Sequence, residues 1–394
     1  MRVEHPVESS APEMRDVPIA PPAEPELAGG ILTIDLAALT DNWRYLKAQA
    51  SDAECAAVVK ADAYGLGMAP VARALWAAGC RTFFVALPHE GERLRRILRE
   101  AVIYVLDGLL AGTARFYHEH GLRPVLSSLP EVREWATFCR EVEMRLPAAL
   151  HVDTGMNRLG LTEEEVRQLA ADRESLGACR IVLVMSHLAC ADEPGNPMNT
   201  RQRERFEALR ALLPPAAASL ANSAGTLMGT AFHYSLVRPG IALYGGNPFT
   251  GRPNPMKPVV SLYAPVLQVR RLRKGESVGY GATWRAERPS RIAVLGLGYA
   301  DGYLRALSWP ARDGPAQVVI GGQYAPVVGR VSMDSICVDV TDVPEELAER
   351  GVRAEIIGPH LSVDELAKWA GTIPYEILTS LGHRYTRLYV PAAA

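Results

Sequence analysis

Five stretches of the chain place a reactive or charged side chain at or shortly after the end of an apolar run. They are Val-Val-Lys60-Ala-Asp-Ala-Tyr64-Gly, His-Val-Asp-Thr-Gly-Met-Asn-Arg158, Ser-His187, Asn222-Ser223-Ala-Gly and Arg238-Pro-Gly240-Ile241. A lysine whose stem lies in apolar surroundings is desolvated, which lowers its pKa and suits it to covalent chemistry with a carbonyl. The bland alternative is a lysine that snorkels to the rim of the fold. Asn-Ser-Ala-Gly and Arg-Pro-Gly-Ile offer small side chains and open backbone N–H groups. Alone, the first of these is ordinary turn chemistry. Together with Lys60 the two motifs point to a phosphorylated cofactor, held by its phosphate and covalently by the lysine. Pyridoxal phosphate meets both demands.

The elements that must position these groups alternate. β-rich runs occur at Cys55–Val59, Thr82–Ala86, Val102–Leu106, Arg123–Ser127, Ala148–Val152, Ile181–Ser186, Ser219–Ala221 and Leu236–Tyr244. Helical periodicity appears between them, at Met68–Ala78, Pro130–Val142, Glu163–Glu174 and Thr200–Leu212. Eight β/α repeats predict an α/β fold, a closed (β/α)8 TIM-type barrel, with a doubly wound open sheet as the competing arrangement. In such a barrel the functional groups sit where strands end, and phosphate sits beyond strands 7 and 8. Those are the positions of Lys60, Arg158, His187, Asn222-Ser223 and Arg238. After Pro253–Pro258 the pattern becomes short strands joined by turns, with Gly321-Gly322 as a hairpin signal and helices only at Ser362–Ala370 and Tyr375–Leu381. The expected organisation is a disordered leader over 1–30, a barrel over 31–255 and a mainly β domain over 256–394. Residues 31–35 are candidates for pairing with the β domain.

Composition narrows the function classes. Lys+Arg number 42 against 44 Asp+Glu, which argues against a dedicated nucleic-acid binder. No apolar run approaches the ~20 residues of a membrane span. The six cysteines show no C-x-x-C spacing and read as buried free thiols, as in a reducing, cytoplasmic compartment. Met1–Gly30 has no apolar core and is not a secretory signal. Gly296-Leu-Gly298-Tyr-Ala-Asp-Gly302 has the wrong spacing for a dinucleotide loop. His118-Glu119-His120 does not put two imidazoles on one helix face, so no metal site is expected. The Arg-rich run Arg93–Arg99 reads as a solvated helix face. Tyr280, between two glycines, is free to project into a site.

These motifs, with Gly-Tyr280-Gly-Ala-Thr-Trp, Gly-Tyr-Ala-Asp-Gly-Tyr and Gly-Arg-Val-Ser-Met333-Asp334, occur in the order found in bacterial alanine racemases. The sequence resembles that family, whose members are fold III pyridoxal-phosphate enzymes, over about 31–391. The resemblance implies interconversion of L- and D-alanine by two bases, supplying D-alanine for peptidoglycan. Lys60 would carry the cofactor and act on the D-enantiomer, and the partner subunit's Tyr280 on the L-enantiomer. Tyr64, Ser223, Gly240 and Ile241 would hold the phosphate, Asn222 standing beside them, and Arg238 would bond the pyridine nitrogen. Arg158 would contact the cofactor and the substrate carboxylate. His187 would brace Arg238 or Tyr280, and Met333 and Asp334 would reach the substrate from the other subunit. The implied assembly is a homodimer with shared sites, acting on a small amino acid.

Two departures from the family stand out. Many members carry a carbamylated lysine, which orients the arginine matching Arg158, where this chain has His151. Some place a phosphate-binding tyrosine in the C-terminal segment, where His383 stands by spacing and Tyr385 follows. Competing readings are a racemase of broader or serine preference, a fold III decarboxylase, a non-catalytic pyridoxal-phosphate carrier, and a barrel that binds a sugar phosphate.

Overall fold

The structure is a computed structural model that describes residues 27 and 29–391. The expected leader therefore lies almost wholly outside the described residues.

Seven parallel strands follow one another in chain order: Ala57–Val58, Thr82–Val85, Val102–Val105, Arg123–Leu126, Pro147–His151, Arg180–Met185 and Ala217–Ser219. Closure comes from a division of labour in the first strand. Ala57–Val58 pairs with Thr82–Val85, while Glu54–Cys55, just before it, pairs in parallel with Leu236–Val237. Backbone bonds from Ser235 N to Ala218 O and from Arg238 N to Ala221 O join this last strand to the seventh. The ring is thus complete, and the open sheet is excluded. Thr82–Val85 is buried along its whole length, as a strand covered on both faces must be.

Several expected boundaries move, each for a local reason. The eighth run stops at Val237 instead of reaching Tyr244, because Pro239 offers no N–H and Ile241–Tyr244 coils into a 3-10 turn. The helix expected over Glu163–Glu174 is two helices, Glu163–Ala171 and Arg173–Ala178. Asp172 ends the first and caps the second by accepting from Ser175 N. The helix expected from Thr200 begins at Pro197, with Asn196 as its cap. Leu36–Gln49 was not anticipated as a helix. Asp35 caps it, and Leu39, Trp43 and Leu46 form its buried stripe. The Arg93–Arg99 run is not simply a solvated face, since Arg95 donates to the carbonyls of Arg99, Ala101, His120 and Gly121. Four of the six free thiols are buried, and Cys190 and Cys337 are partly exposed. Among the described residues no helix is long and apolar enough to cross a membrane, and no group of side chains could hold a metal ion.

The C-terminal half builds an eight-stranded sheet around the long strand Val260–Leu272. Ile31–Asp35 pairs antiparallel with it and parallel with Thr386–Val390, so the start of the chain is sewn into this sheet. Gln317–Ile320 and Gln323–Val328 form the hairpin across Gly321-Gly322, both at positive φ. Helices Val363–Ala370 and Pro374–Ser380 follow, and the second reaches the barrel mouth.

Candidate active site

At the C-terminal ends of the barrel strands lies a cavity of about 850 Å³. Lys60, Tyr64, Arg158, His187, Asn222, Ser223, Arg238, Gly240 and Ile241 all line it, as does His151. Lys60 stands two residues past the first strand and opens an unusual turn. Ala61, Asp62, Ala63 and Tyr64 all adopt positive φ, a left-handed turn that costs L-residues roughly 1–2 kcal/mol each. Tertiary anchors hold it. Glu90 accepts from Ala61 N at 2.6 Å while its other oxygen accepts from Ala86 N and Leu87 N. Asp62 accepts from Met68 N and pairs with Arg93. Gly65 ends the turn at positive φ. The turn swings Tyr64 back across the barrel, where its ring lies 4.6 Å from that of Tyr244 and 6.0 Å from that of Tyr375. A Cβ on Gly240 would fall 2.2 Å from the Tyr64 hydroxyl, so only glycine fits beneath it.

Ser223 is buried, and its Oγ accepts from Gly240 N and Ala242 N at 2.9 and 3.3 Å. The Asn222 side chain caps the short helix Ser223–Leu227 by accepting from Gly225 N. The result is a small-residue cradle of backbone N–H groups, hydroxyls and glycine. Deeper in the mouth, the Arg238 guanidinium is 4% exposed. It donates to Ser219 Oγ, to Ser186 O at 2.7 Å and to His187 Nδ1 at 3.4 Å. Every one of these acceptors is neutral. Burial pulls Arg238 down to about 9, which still leaves it charged at neutral pH.

The two histidines are both held neutral. Desolvation, then the charge of Arg238, takes His187 well below the ordinary range. Arginine can only donate, so His187 Nδ1 accepts and Nε2 carries the proton. His187 is therefore no source of positive charge for a tyrosine base. His151 is pushed down to about 4 by burial, with Arg238 next in effect. Ser127 Oγ donates to Val125 O, and its one proton is spent there. His151 Nδ1, 3.4 Å from that oxygen, must then donate to it, which leaves Nε2 as an acceptor. Burial likewise lowers Lys60, and Arg158 adds to this, while Asp107 and Glu90 oppose it. Lys60, Arg158 and Arg238 outnumber Asp107 and Glu376 in the lining, so the cavity suits an anionic ligand.

Sequence reasoning missed Asp107, which lines the cavity beyond the third strand, and Tyr375 and Thr379 from helix Pro374–Ser380. The C-terminal contribution, left open between His383 and Tyr385, comes from neither. His383 is exposed and Tyr385 is buried away from the mouth, and neither lines the cavity. Tyr375 does, because the helix bearing it packs against the Lys60–Tyr64 turn. The one local signal, Ile-Pro-Tyr, marks with its proline the first turn of a helix but not where that helix packs. Tyr280, Met333 and Asp334 do not line the cavity of their own chain. Tyr280 is 70% exposed and Met333 53%.

The alanine racemase N-terminal domain matches residues 34–248, and the alanine racemase C-terminal domain matches 259–389. The chain belongs to the alanine racemase family. That makes it an enzyme of the isomerase class, built as a TIM-like barrel with a mainly β domain. It is 53% identical to an alanine racemase from Methylobacterium nodulans over 93% of this chain and 97% of that one. It is 50% identical to one from Rhodospirillum rubrum over 92% and 96%. A crystal structure of alanine racemase from Bartonella henselae with covalently bound pyridoxal phosphate is 41% identical. It superimposes with a TM-score of 0.88 over 92% of this chain and all of that one.

Proposed function

We propose that this racemase interconverts L- and D-alanine with pyridoxal phosphate bound at the barrel mouth. The observation that carries the reading is the coincidence, in one cavity, of a mostly buried Lys60, a neutral cradle of small residues and hydroxyls, and a buried arginine without a carboxylate partner. The fit to the cofactor rests on these features. Lys60 supplies the amine for covalent attachment. Gly240, Ile241, Ser223 and the Tyr64 hydroxyl surround the space for a phosphate, beside Asn222. Arg238 has donors for a neutral ring nitrogen, and being a very weak acid it leaves that nitrogen unprotonated. When bound, pyridoxal phosphate withdraws electrons from the substrate's α-carbon.

The remaining work falls to this chain's own residues. Lys60 takes or returns the α-proton on one face. The partner subunit's Tyr280 does so on the other, in a homodimer whose sites are shared. The exposure of Tyr280 and Met333 supports this, since both side chains are free to meet a neighbouring subunit and neither lines the cavity of its own chain. Arg158 holds the substrate carboxylate, and the partner subunit's Met333 and Asp334 close that side. His151 stands where a carbamate stands in other members; its Nε2, left as an acceptor, would take a hydrogen bond from the Arg158 guanidinium and so orient it without a negative charge. The two working units are the barrel, 31–255, whose opening strand Ile31–Asp35 joins the sheet of the other unit, and the β domain, 256–394. The enzyme acts in the cytoplasm, where free thiols persist, and supplies D-alanine for peptidoglycan.

The test is α-proton exchange in deuterated buffer, followed by NMR with L-alanine, L-serine and L-lysine in turn and with product chirality measured. Rapid exchange and racemisation confined to alanine is expected. Comparable exchange across the panel would replace this reading with a broad or serine-preferring racemase. Release of carbon dioxide, or no exchange with cofactor bound, would move it to a decarboxylase or a carrier.

A further inference from the structure

Arg384 lies between helix Pro374–Ser380 and strand Thr386–Val390, outside the cavity. Its guanidinium makes a three-pronged clamp. Nε and Nη2 reach the two oxygens of Asp301 at 2.7 and 3.1 Å, and Nη1 reaches Asp334 Oδ1 at 2.7 Å. Asp301 is 4% exposed and also accepts from Gly298 N at 2.8 Å. The turn Tyr299–Asp301 is tied in parallel to the segment carrying Met333. Tyr299 N donates to Ser332 O and Ala300 N to Met333 O, both at 3.0 Å. Gly298 permits this, since a Cβ there would lie 2.3 Å from Ser332 O and 2.4 Å from Met333 O. Arg384 thus ties one buried and one exposed carboxylate to a single rigid corner.

From this geometry we infer that Arg384 is a positioning residue for the reaction: it neutralises Asp334 and fixes its carboxylate, so that the Met333–Asp334 segment does not present an unpaired anion to the neighbouring substrate. The inference rests on the reading that this segment completes the partner's site. The chemistry is direct. An amino-acid substrate carries a carboxylate, and a free aspartate beside it would repel it. An arginine fork holds a carboxylate in a fixed direction, which a lysine's point charge does not.

The experiment uses the loaded dimer and compares KM and kcat for L-alanine in R384Q, R384K and R384Q/D334N. R384Q should raise KM roughly tenfold or more while kcat falls less, since the freed Asp334 acts on binding. The effect should shrink at high salt, because exposed charges are screened. R384K should be intermediate, and adding D334N to R384Q should return KM most of the way. An unchanged KM in R384Q, or a raised KM that D334N does not relieve, overturns the inference. Amide exchange across 331–335, read by mass spectrometry on cofactor-free protein, needs no turnover and should quicken in R384Q. Unchanged exchange there counts against the clamp. Because R384Q also leaves Asp301 unpaired, R384K, which keeps a cation beside it, serves as the folded control. A Y280F variant separates the two readings. If Y280F keeps full activity, the shared site itself is wrong. If Y280F is inactive while R384Q keeps its KM, only the role of Arg384 is wrong.

Discussion

Replacing Glu90 with alanine should loosen the turn that presents Lys60, although Glu90 is expected to touch neither substrate nor cofactor. Its carboxylate holds the first amide of the left-handed turn, Ala61 N, at 2.6 Å, and two amides of the neighbouring helix start at 2.8 and 3.1 Å. Four residues at roughly 1–2 kcal/mol each put about 4–8 kcal/mol of backbone cost into Ala61–Tyr64. A hydrogen bond to a charged group is worth about 1.5–3 kcal/mol. Losing the one to Ala61 therefore removes about 2 kcal/mol from a segment with little to spare. That is up to about thirtyfold in the population of the formed turn. If cofactor binds only the formed turn, apparent affinity falls by as much. The assay is titration of cofactor-free protein with pyridoxal phosphate, followed by absorbance, together with amide exchange at residues 60–64. E90Q keeps one oxygen acceptor and should fall between wild type and E90A. Wild-type affinity and exchange in E90A would refute the reasoning.

Two further outcomes follow from the site. His151 is held down to about 4, against an unfolded value near ~6.5. Between these values only the unfolded chain binds the proton. The contribution is therefore complete above ~6.5 and is lost as pH falls, by about 2 kcal/mol at pH 5. Urea unfolding at pH 7 and pH 5 should show this loss, and H151Q should show less of it; equal losses in both would remove His151 as the cause. G240A puts a methyl group 2.2 Å from the Tyr64 hydroxyl, under a ring hemmed in by Tyr244 and Tyr375. Overpacking of this kind costs about 1–3 kcal/mol. Denaturant midpoints should fall in G240A and recover in G240A/Y64F, while cofactor affinity stays low in both, and a G240A protein as stable as wild type would contradict the packing.

Much of the barrel half of the site was legible because its main charged and polar residues lie at or shortly after the ends of apolar runs. Lys60, Arg158, His187, Asn222-Ser223 and Arg238 needed only the rule that strand ends carry function. What the sequence hid depends on tertiary contact. Ala, Ala and Tyr do not favour positive φ; Asp62 tolerates it and accepts from Met68 N, Gly65 follows, and the rest of the turn is held from outside by Glu90 and Arg93. Tyr375 reaches the mouth because a helix of the other domain crosses it, and spacing pointed instead to His383. Asp107 looked like any loop aspartate. The extra strand Ile31–Asp35 was legible as a strand, but its two partners lie more than two hundred residues away.

The most direct test of the central claim mixes two inactive proteins. K60A and Y280F are each prepared alone, then unfolded, combined in equal amounts and refolded with pyridoxal phosphate. In a mixed dimer with shared sites, one site has both substitutions and the other has neither. Random pairing should therefore restore about a quarter of wild-type racemisation. If Lys60 and Tyr280 of one chain served the same site, every site would lack one base, and mixing would restore none.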